Sequence, residues 1–452
     1  MAPTRRMPVA MTIAGSDSGG GAGIQADLKT FSALGVYGTT AITSLTAQNT
    51  REVTAIHDLP GWFVYEQIRV VVEDIGVHAA KTGMLSNSDI INHVARAVRE
   101  YSIPLVVDPV MVAKSGARLL KEEAVEALVK EILPLARVVT PNIPEAEVLS
   151  GMKVRSVEDM ERAAKIVAEK YGPEAVVVKG GHLEGGKVVD VLYYRGRYYR
   201  FESERVEGCH HGGGCSYSAA ITAYLAKGLN VVESVAKAKD FITHAIRYGV
   251  RVGRGHCPVN PVAWLEIPAE KYRVLNEVKE AVELLLKNSG TVLQHVPEVG
   301  LNVVEAIDSK YASSVDDVAG VVGRIVKAGK KLVAVGPVEF GASSHVARLV
   351  LEVMKYDPEI RAAVNVKYSK ELVEKAIAKG YVVVFVDRRL EPEEIRRVEG
   401  ASIPWIVREA FSKATKTPDA IYDVGDVGKE AMIRLLGKTA PDAVKKFLDL
   451  VS

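Results

Sequence analysis

Four groups of residues in this chain have the types and spacing for chemistry on a charged ligand. The first is Ala14-Gly15-Ser16-Asp17-Ser18-Gly19-Gly20-Gly21-Ala22-Gly23, between an apolar run and an amphipathic one. Such a glycine run lets backbone approach a ligand and frees N–H donors, although a mobile turn has the same composition. It lacks the spacing of a dinucleotide fingerprint and the Lys-Ser/Thr ending of a P-loop. The second is Gly212-Gly213-Gly214-Cys215-Ser216, directly before a helical pattern. Three glycines at a helix start aim several N–H groups into one concavity, where the helix dipole favours an anion such as a phosphate in transfer. The same dipole is expected to lower the Cys215 thiol pKa; the plain alternative is a turn with a small buried cysteine. The third and fourth, Thr140-Pro141-Asn142-x-x-Glu145 and Lys179-Gly180-Gly181-His182, sit at the ends of expected strands. Asn142 and Glu145 offer the oxygen ligands that magnesium prefers, or else simply start a helix, and Lys179 offers a point charge for phosphates.

Three further segments lie in the second half. Asp316–Val326 reads as a helix that places Gly320 and Arg324 one turn apart. Phe340–Arg348 reads as a helix start with Ser343 and Ser344 as N-caps and His345 and Arg348 three apart, either a phosphate site or a capped surface helix. Asp423–Glu430 combines acid, glycine and lysine in one loop, suited to a magnesium–pyrophosphate group or to an exposed turn.

The elements that must position these groups follow from periodicity. Val9–Ala14, Ala41–Leu45, Leu105–Val107, Val138–Thr140 and Ala175–Val178 read as buried strands. Gln25–Leu34, Asp89–Tyr101, Lys121–Ile132 and Val157–Tyr171 read as amphipathic helices between them, which predicts α/β layering with a mostly parallel sheet. Asp190–Arg205 predicts a hairpin turning at Arg195-Gly196, and Ser216–Lys227 a helix ended by Gly228. Pro258, Pro261 and Pro268 mark a boundary that no helix is expected to cross, with a helix restarting at Ala269–Leu286. Beyond it, Leu332–Val335, Val364–Val366, Val382–Phe385 and Ile421–Asp423 read as strands of a second, smaller α/β domain. The two halves share no repeat, so the chain reads as a fusion.

With 452 residues, 48% hydrophobic and 25% charged, both halves can bury a core. A net charge of +2 gives no reason to expect nucleic acid or a membrane surface as partner. The opening MAPTRRMPVAMTIAGSD reads as a first strand rather than a signal peptide. The three cysteines, Cys209, Cys215 and Cys257, match no zinc spacing and suggest no disulfide framework, so a reducing cytoplasm is expected. Scarce glutamine beside abundant Lys, Glu and Arg leans toward a thermophilic source.

Thr12–Leu34, Thr46–Thr50, Lys81–Leu85, Asp108–Gly116, Thr140–Glu147, Lys179–Leu183 and His211–Gly228 together resemble hydroxymethylpyrimidine/phosphomethylpyrimidine kinases of the ribokinase-like superfamily, over residues 1–265. The resemblance implies a three-layer α/β/α kinase, ATP as phosphoryl donor with Mg2+, a cytoplasmic location and a dimer. It implies that Gln48 binds the aminopyrimidine edge, with Gly15, Asp27, Met84 and Val110 around it. Gly212, Gly213, Gly214 and Lys179 would hold phosphates, Asp108, Asn142 and Glu145 the metal, and Cys215 would orient the hydroxyl and accept its proton. Gly213 departs from the family, which has threonine there, so a hydroxyl contact is lost and a looser loop is expected. A pyridoxal kinase is the competing vitamin kinase.

Pro297–Asn302, Arg324, Gly341–Arg348, Asn365–Tyr368 and Gly425–Gly437 likewise resemble thiamin-phosphate synthases of the ThiN type, over residues 270–452. That resemblance implies joining hydroxymethylpyrimidine pyrophosphate to hydroxyethylthiazole phosphate, with Arg324 and His345 catalytic and Ser343, Ser344 and Arg348 on phosphate. A non-catalytic domain that senses thiamin phosphates is the alternative.

Overall fold

A computed structural model describes residues 7–111, 122–181, 183, 185–398, 400–426 and 428–452. The chain divides into two compact units, Met1–Leu265 and Glu266–Ser452.

The first unit runs β1 (Val9–Asp17), α1 (Gly23–Ala33), β2 (Tyr37–Gln48), β3 (Val53–Asp58), α2 (Gly61–Asp74), β4 (Ala79–Thr82), α3 (Ser88–Glu100), β5 (Leu105–Val107) and α4 (Glu122–Ala127). It continues through β6 (Ala136–Val139), α5 (Ile143–Ser150), α6 (Val157–Tyr171), β7 (Ala175–Val178), β8 (Lys187–Tyr194), β9 (Arg197–Glu204), α7 (Gly213–Ala226) and α8 (Val231–Arg247). Nine strands form one sheet in the order β3-β2-β1-β4-β5-β6-β7-β8-β9. The run from β2 to β7 is parallel, and β3, β8 and β9 add antiparallel edges. The short strands β5 and β7 are buried on both faces, which is why they appear in sequence as continuous apolar runs. Leu105, Val107, Val176 and Val178 pack under α2, α3, α5 and α6, while Val106, Ala175 and Val177 pack under α1, α7 and α8. The hairpin turns at Arg195-Gly196 as expected, and Gly228 ends α7 with a φ of 87°. Part of the Asp108–Gly116 motif and the start of the Lys121–Ile132 segment lie outside the described residues.

Helix α9 (Ala263–Lys287) contains Pro268, against the expectation that no helix passes the three prolines. A proline in the second turn removes a single N–H donor, and the buried anchors Ala263, Ile267 and Val274 hold the helix on either side.

The second unit continues with α10 (Ser289–Val292), β10 (Val303–Ala306), β11 (Val318–Val321), β12 (Ile325–Ala328), β13 (Lys331–Ala334), β14 (Val338–Phe340), α11 (His345–Val353) and β15 (Ala362–Lys367). It ends with α12 (Lys370–Ala378), β16 (Val383–Phe385), α13 (Glu393–Arg396), α14 (Ser402–Lys413), β17 (Ala420–Asp423), β18 (Met432–Gly437) and α15 (Ala440–Val451). Its main sheet has the order β14-β11-β10-β15-β18-β17-β16 and is antiparallel except for β16 with β17; β12 and β13 form a separate ribbon. Helices α11 and α14 close one core through Leu349, Val350, Trp405 and Ile406.

The stretch expected as one helix, Asp316–Val326, is instead a 3-10 turn, strand β11, a turn and strand β12. Its apolar residues at 318, 321, 322 and 325 imitate helical spacing because they span two short strands and the turn between them, neither strand being long enough to show alternation. Gly323 and Arg324 both have positive φ, 69° and 74°, so Arg324 sits at the apex of a turn rather than on a helix face.

Candidate functional site

The nine-stranded sheet reverses its order between β1 and β4, and the crevice beyond the carboxyl ends at such a point is where open α/β sheets bind ligands. Asp17, Met84, Asp108, Thr140 and Lys179 all lie at or just past these ends.

The first glycine loop is wound on Asp17. Its carboxylate accepts the N–H groups of Gly19 (2.8 Å), Gly21 (3.1 Å) and Ala22 (2.8 Å), and His211 Nε2 lies 3.4 Å away. Burial would raise this carboxyl, but His211 and the Ala22 and Gly19 N–H groups outweigh it and hold it below the usual carboxylate range. The two glycine loops touch through backbone. A Cβ on Gly212, whose φ is 75°, would stand 1.8 Å from the Gly21 carbonyl oxygen. Gly213 has open space, its nearest neighbour being Val259 at 3.8 Å, so the threonine expected there from the family pattern would fit.

At the start of α7, the Gly214 Cβ position lies 3.5 Å from Asp108 Oδ2 and 3.6 Å from Lys179 Nζ. Lys179 donates to Asp108 Oδ1 at 3.0 Å, and Thr140 Oγ1 reaches the same oxygen at 3.3 Å. Burial would lower the Lys179 ammonium, yet Asp108 and Glu145 raise it, so it keeps its charge. Asn142 and Glu145 form a capping box at α5, each side chain accepting the other's N–H at 2.8 Å. Burial first, and then Asp108 against the relief given by Lys179, pushes the Glu145 carboxyl up to about 7. His182 of the fourth motif lies outside the described residues.

Cys215 is half-buried at this helix start. Its thiol is pushed up to about 11 by burial, with Lys81 opposing the shift and Asp27 and Asp108 adding to it. This reverses the expected lowering: dehydration and two carboxylates outweigh the helix end. Beneath it, Lys81 and Asp27 are both fully buried, and Asp27 accepts Lys81 (3.1 Å to each oxygen) and Thr12 (2.6 Å). Asp27 is thus tied up below the crevice by a buried lysine that sequence reasoning passed over. Gly15 lets Met84 close over it, since a Cβ would meet Met84 Cε at 2.6 Å. Gln48 ends β2 with Thr46 bonded to its Oε1 and its backbone fastened to Ser18. Val110 follows Asp108, half-buried. Sequence reasoning also missed Asp190, which accepts the Gly180 N–H at 2.9 Å while paired with buried Lys239 at 3.0 Å, and so fixes the lysine loop.

The expectation of no disulfide is overturned. Cys209 and Cys257 are bonded, leaving Cys215 as the free thiol. They are brought together because residues 209–211 run beside 257–259, with His211 N–H to Cys257 O (3.1 Å) and Val259 N–H to His211 O (3.0 Å). A separation of 48 residues gave no sign of this in sequence.

In the second unit, Asn302 and Asn365 fasten the turn that carries Arg324. Asn302 bonds the Val321 backbone in both directions (3.0 and 3.1 Å), and Asn365 donates to Gly300 O (3.2 Å). Arg324 itself donates to Val299 O. Ser344 is the N-cap of α11 but its side chain makes no cap bond, contrary to expectation; Ser343 is buried beside it. Burial and then the charges of Arg348, Arg324, Arg434 and Arg388 hold the His345 imidazole below its usual range. Arg388 and Arg434 are additions that the sequence reading lacked. Both are buried, on Asp423 and Glu391. The Asp423–Glu430 loop contributes Asp423, whose Oδ1 caps Gly425 N–H, and Lys429, which pairs with Glu391 at 2.9 Å. Val427 lies outside the described residues.

A three-layer α/β/α unit whose glycine-rich helix start faces a lysine and an aspartate at the sheet's carboxyl edge is a ribokinase-like phosphotransferase. Residues 17–260 match the model of the phosphomethylpyrimidine kinase family, and the chain belongs to that family. Residues 277–449 match the model of thiamine-phosphate synthase ThiN. The chain is 49% identical over 254 residues to the thiamine biosynthesis bifunctional protein ThiED of Geobacter sulfurreducens, covering 56% of this chain and about half (52%) of that one. It is 48% identical over 256 residues to the hydroxymethylpyrimidine/phosphomethylpyrimidine kinase of Rhizobium meliloti, 96% of which is covered. Among solved structures, an ADP complex of Bacillus subtilis pyridoxal kinase superposes with a TM-score of 0.54 at 42% identity, over 57% of this chain and 98% of that one. The Staphylococcus aureus pyridoxal kinase bound to pyridoxal gives 0.54 at 38%, over 58% and 96%. Among the described residues no helix is long and apolar enough to cross a membrane.

Proposed function

We propose that the first unit phosphorylates 4-amino-5-hydroxymethyl-2-methylpyrimidine with ATP, first to the monophosphate and then to the pyrophosphate. The second unit then condenses that product with hydroxyethylthiazole phosphate to give thiamin phosphate. The observation that carries the kinase reading is the close approach of Gly214 at the start of α7 to Lys179 and Asp108. Phosphoryl transfer needs in-line positioning and neutralisation of charge more than covalent help. The Gly214 N–H at the start of α7 and the Lys179 ammonium supply that charge, the Gly213 N–H being taken by His210 O at 3.2 Å. Gln48 can donate and accept at once, which suits a ring nitrogen beside an exocyclic amine. Gly15, Met84 and Val110 wall the ring, and Asp27 acts from below through Lys81. Cys215, protonated at neutral pH, orients the acceptor hydroxyl but cannot act as its base; the hydroxyl proton leaves late in transfer onto a phosphoryl oxygen.

Asp108 and Glu145 set two carboxylates against one ammonium, and burial first and then Asp108 make Glu145 hard to ionise. Asp108 and Glu145, with the Asn142 amide beside them, offer the oxygen ligands Mg2+ prefers and would hold it; it would there supply charge neutralisation of the phosphates.

In the second unit Arg324 faces the leaving pyrophosphate and His345, neutral at physiological pH, binds a phosphate or relays a proton. Pyridoxal is the competing acceptor for the kinase, favoured by the likeness to the two pyridoxal kinases. Steady-state assays with both alcohols test the proposal. A higher kcat/KM for pyridoxal sinks it. Supplying the full chain with hydroxymethylpyrimidine pyrophosphate and the thiazole phosphate tests the second step; binding without thiamin phosphate formation makes the unit a sensor.

A further inference from the structure

We propose that Glu430 is the positioning residue of Arg324: its carboxylate fixes the turn on which the Arg324 side chain rests, and so sets where the guanidinium points. The proposal rests on the reading of Arg324 as a functional residue of the second unit, and adds to it the residue that holds it.

The Arg324 backbone is fixed by the β12–β13 ribbon. Its φ of 74° places it at a turn apex, where its N–H donates to Val321 O (3.2 Å) and its C=O accepts the Val335 N–H (2.9 Å). Those bonds leave the long side chain free, and two other contacts take up that freedom. The stem lies along Gly300, where a Cβ would meet Arg324 Cβ and Cδ at 3.3 Å each. The tip donates from Nη1 to Val299 O. The direction of the guanidinium is therefore set by the turn 297–300, which closes through Gly300 N–H to Pro297 O at 3.0 Å with Gly300 at a φ of 88°.

That turn is held at both ends. At its exit Asn365 donates to Gly300 O at 3.2 Å. At its entrance Glu430 accepts the Glu298 N–H with both oxygens, at 2.9 and 3.1 Å, and the Val299 N–H at 3.4 Å. Successive N–H groups converging on one carboxylate form an anion nest, and the charge strengthens each bond. Among the described residues Glu430 pairs with no cation, so these N–H groups are what its charge meets.

Glu430 is itself delivered by a loop folded on its own backbone. Asp426 and Lys429 exchange backbone hydrogen bonds of 3.1 and 2.8 Å, and a Cβ on Gly425, whose φ is 79°, would stand 2.6 Å from Lys429 O. Lys429 is anchored on Glu391 at 2.9 Å. Contacts thus run from Glu391 through Lys429, Glu430 and Val299 to Arg324. Glutamine at 430 cannot complete the chain, because it offers one oxygen and turns an amide donor toward N–H donors. Glu298 and Val299 are exposed, so water can take their N–H groups and the unit should fold without the carboxylate.

The test is a double-mutant cycle on the full chain, Glu430→Gln with Arg324→Lys, read as kcat for thiamin phosphate formation. Glu430→Gln is expected to lower kcat about fivefold, with the KM for the thiazole phosphate and the melting of the second unit nearly unchanged. In the Arg324→Lys background the same substitution should cost nothing further, whereas a merely structural role would cost the same in both. A second readout needs no turnover: modification of arginines by phenylglyoxal, followed by peptide mass. Arg324 should react about fivefold faster in Glu430→Gln, while exposed Arg389 keeps its rate. Equal losses in the two backgrounds, or an unchanged rate at Arg324, overturns the proposal. A wild type that forms no thiamin phosphate sinks the synthase reading instead, and the modification rates then decide on Glu430 by themselves.

Discussion

Breaking the Cys209–Cys257 disulfide is the sharpest perturbation of the kinase unit. The bond closes a loop of 48 residues. Chain-entropy arguments put such a cross-link at about 4 kcal/mol in favour of the folded state. A unit of this size loses some 2–4 °C of melting temperature for each kcal/mol, so Cys209→Ser with Cys257→Ser should lower its transition by about 10 °C. The cost is also local, because the bond holds His211 and its neighbours against 257–259, and His211 in turn meets Asp17. Loss of the bond should therefore raise the KM for ATP as the glycine loops part. Calorimetry of wild type and double variant, without reductant, reads the first effect. The kinase transition is recognised by its upward shift with ATP. Thiol titration in denaturant should count one free thiol in the wild type. Three free thiols, or identical melting of the two proteins, refutes the reasoning.

Gly212→Ala should abolish kinase activity, since the new Cβ meets the Gly21 carbonyl at a φ of 75°, whereas Gly213→Thr should keep or improve it; initial rates with ATP separate the two. Cys215→Ala should lower kcat far more than it raises the KM for ATP. With the other cysteines bonded, iodoacetamide should modify Cys215 at a rate that climbs toward about pH 11, and a plateau near pH 8 counts against its burial. Glu305, fully buried, is pushed up to about 8 by burial and then by Glu277. Its folded value lies above the ordinary 4.5, so it favours the fold at low pH and that contribution is lost as pH rises through about 8. Glu305→Gln should flatten the pH dependence of the second unit's melting between those values; an unchanged profile refutes it.

What could be read in sequence depended on where the information lay. The strands at Leu105–Val107 and Ala175–Val178 and the helix Val157–Tyr171 were legible because burial on two faces, or one, writes itself into local periodicity. The clustering of Asp108, Thr140 and Lys179 at the carboxyl edge of the sheet was legible because glycine, acid and lysine fall at the ends of expected strands. Strand β11 was not, because Val318, Val321, Val322 and Ile325, spread over two short strands and the turn between them, fall at helix-like spacing. Lys81, a charged residue in an apolar strand, was passed over because its partner Asp27 is 54 residues away. The disulfide, Arg388 and Arg434 were missed for the same reason: their meaning is in partners that only the fold supplies.

The kinase pocket closes between distant parts of the chain. Asp17 meets His211 across 194 residues, and Thr50 meets Gly255 across 205. During synthesis the sheet core from β1 to β7 can form while the last pocket segments are still within the ribosome. The join between the two glycine loops cannot, because Asp17 and His211 are separated by most of the unit. At typical elongation rates of about 5–20 residues per second, the first glycine loop waits on the order of 10 seconds or more for its histidine. A nascent chain halted before residue 257 would hold all nine strands of the sheet but lack the Cys257 and Val259 backbone partners that seat His211 beside Asp17. Protection of the first glycine loop in stalled chains of increasing length should therefore appear in one step, once residues 257–259 have emerged.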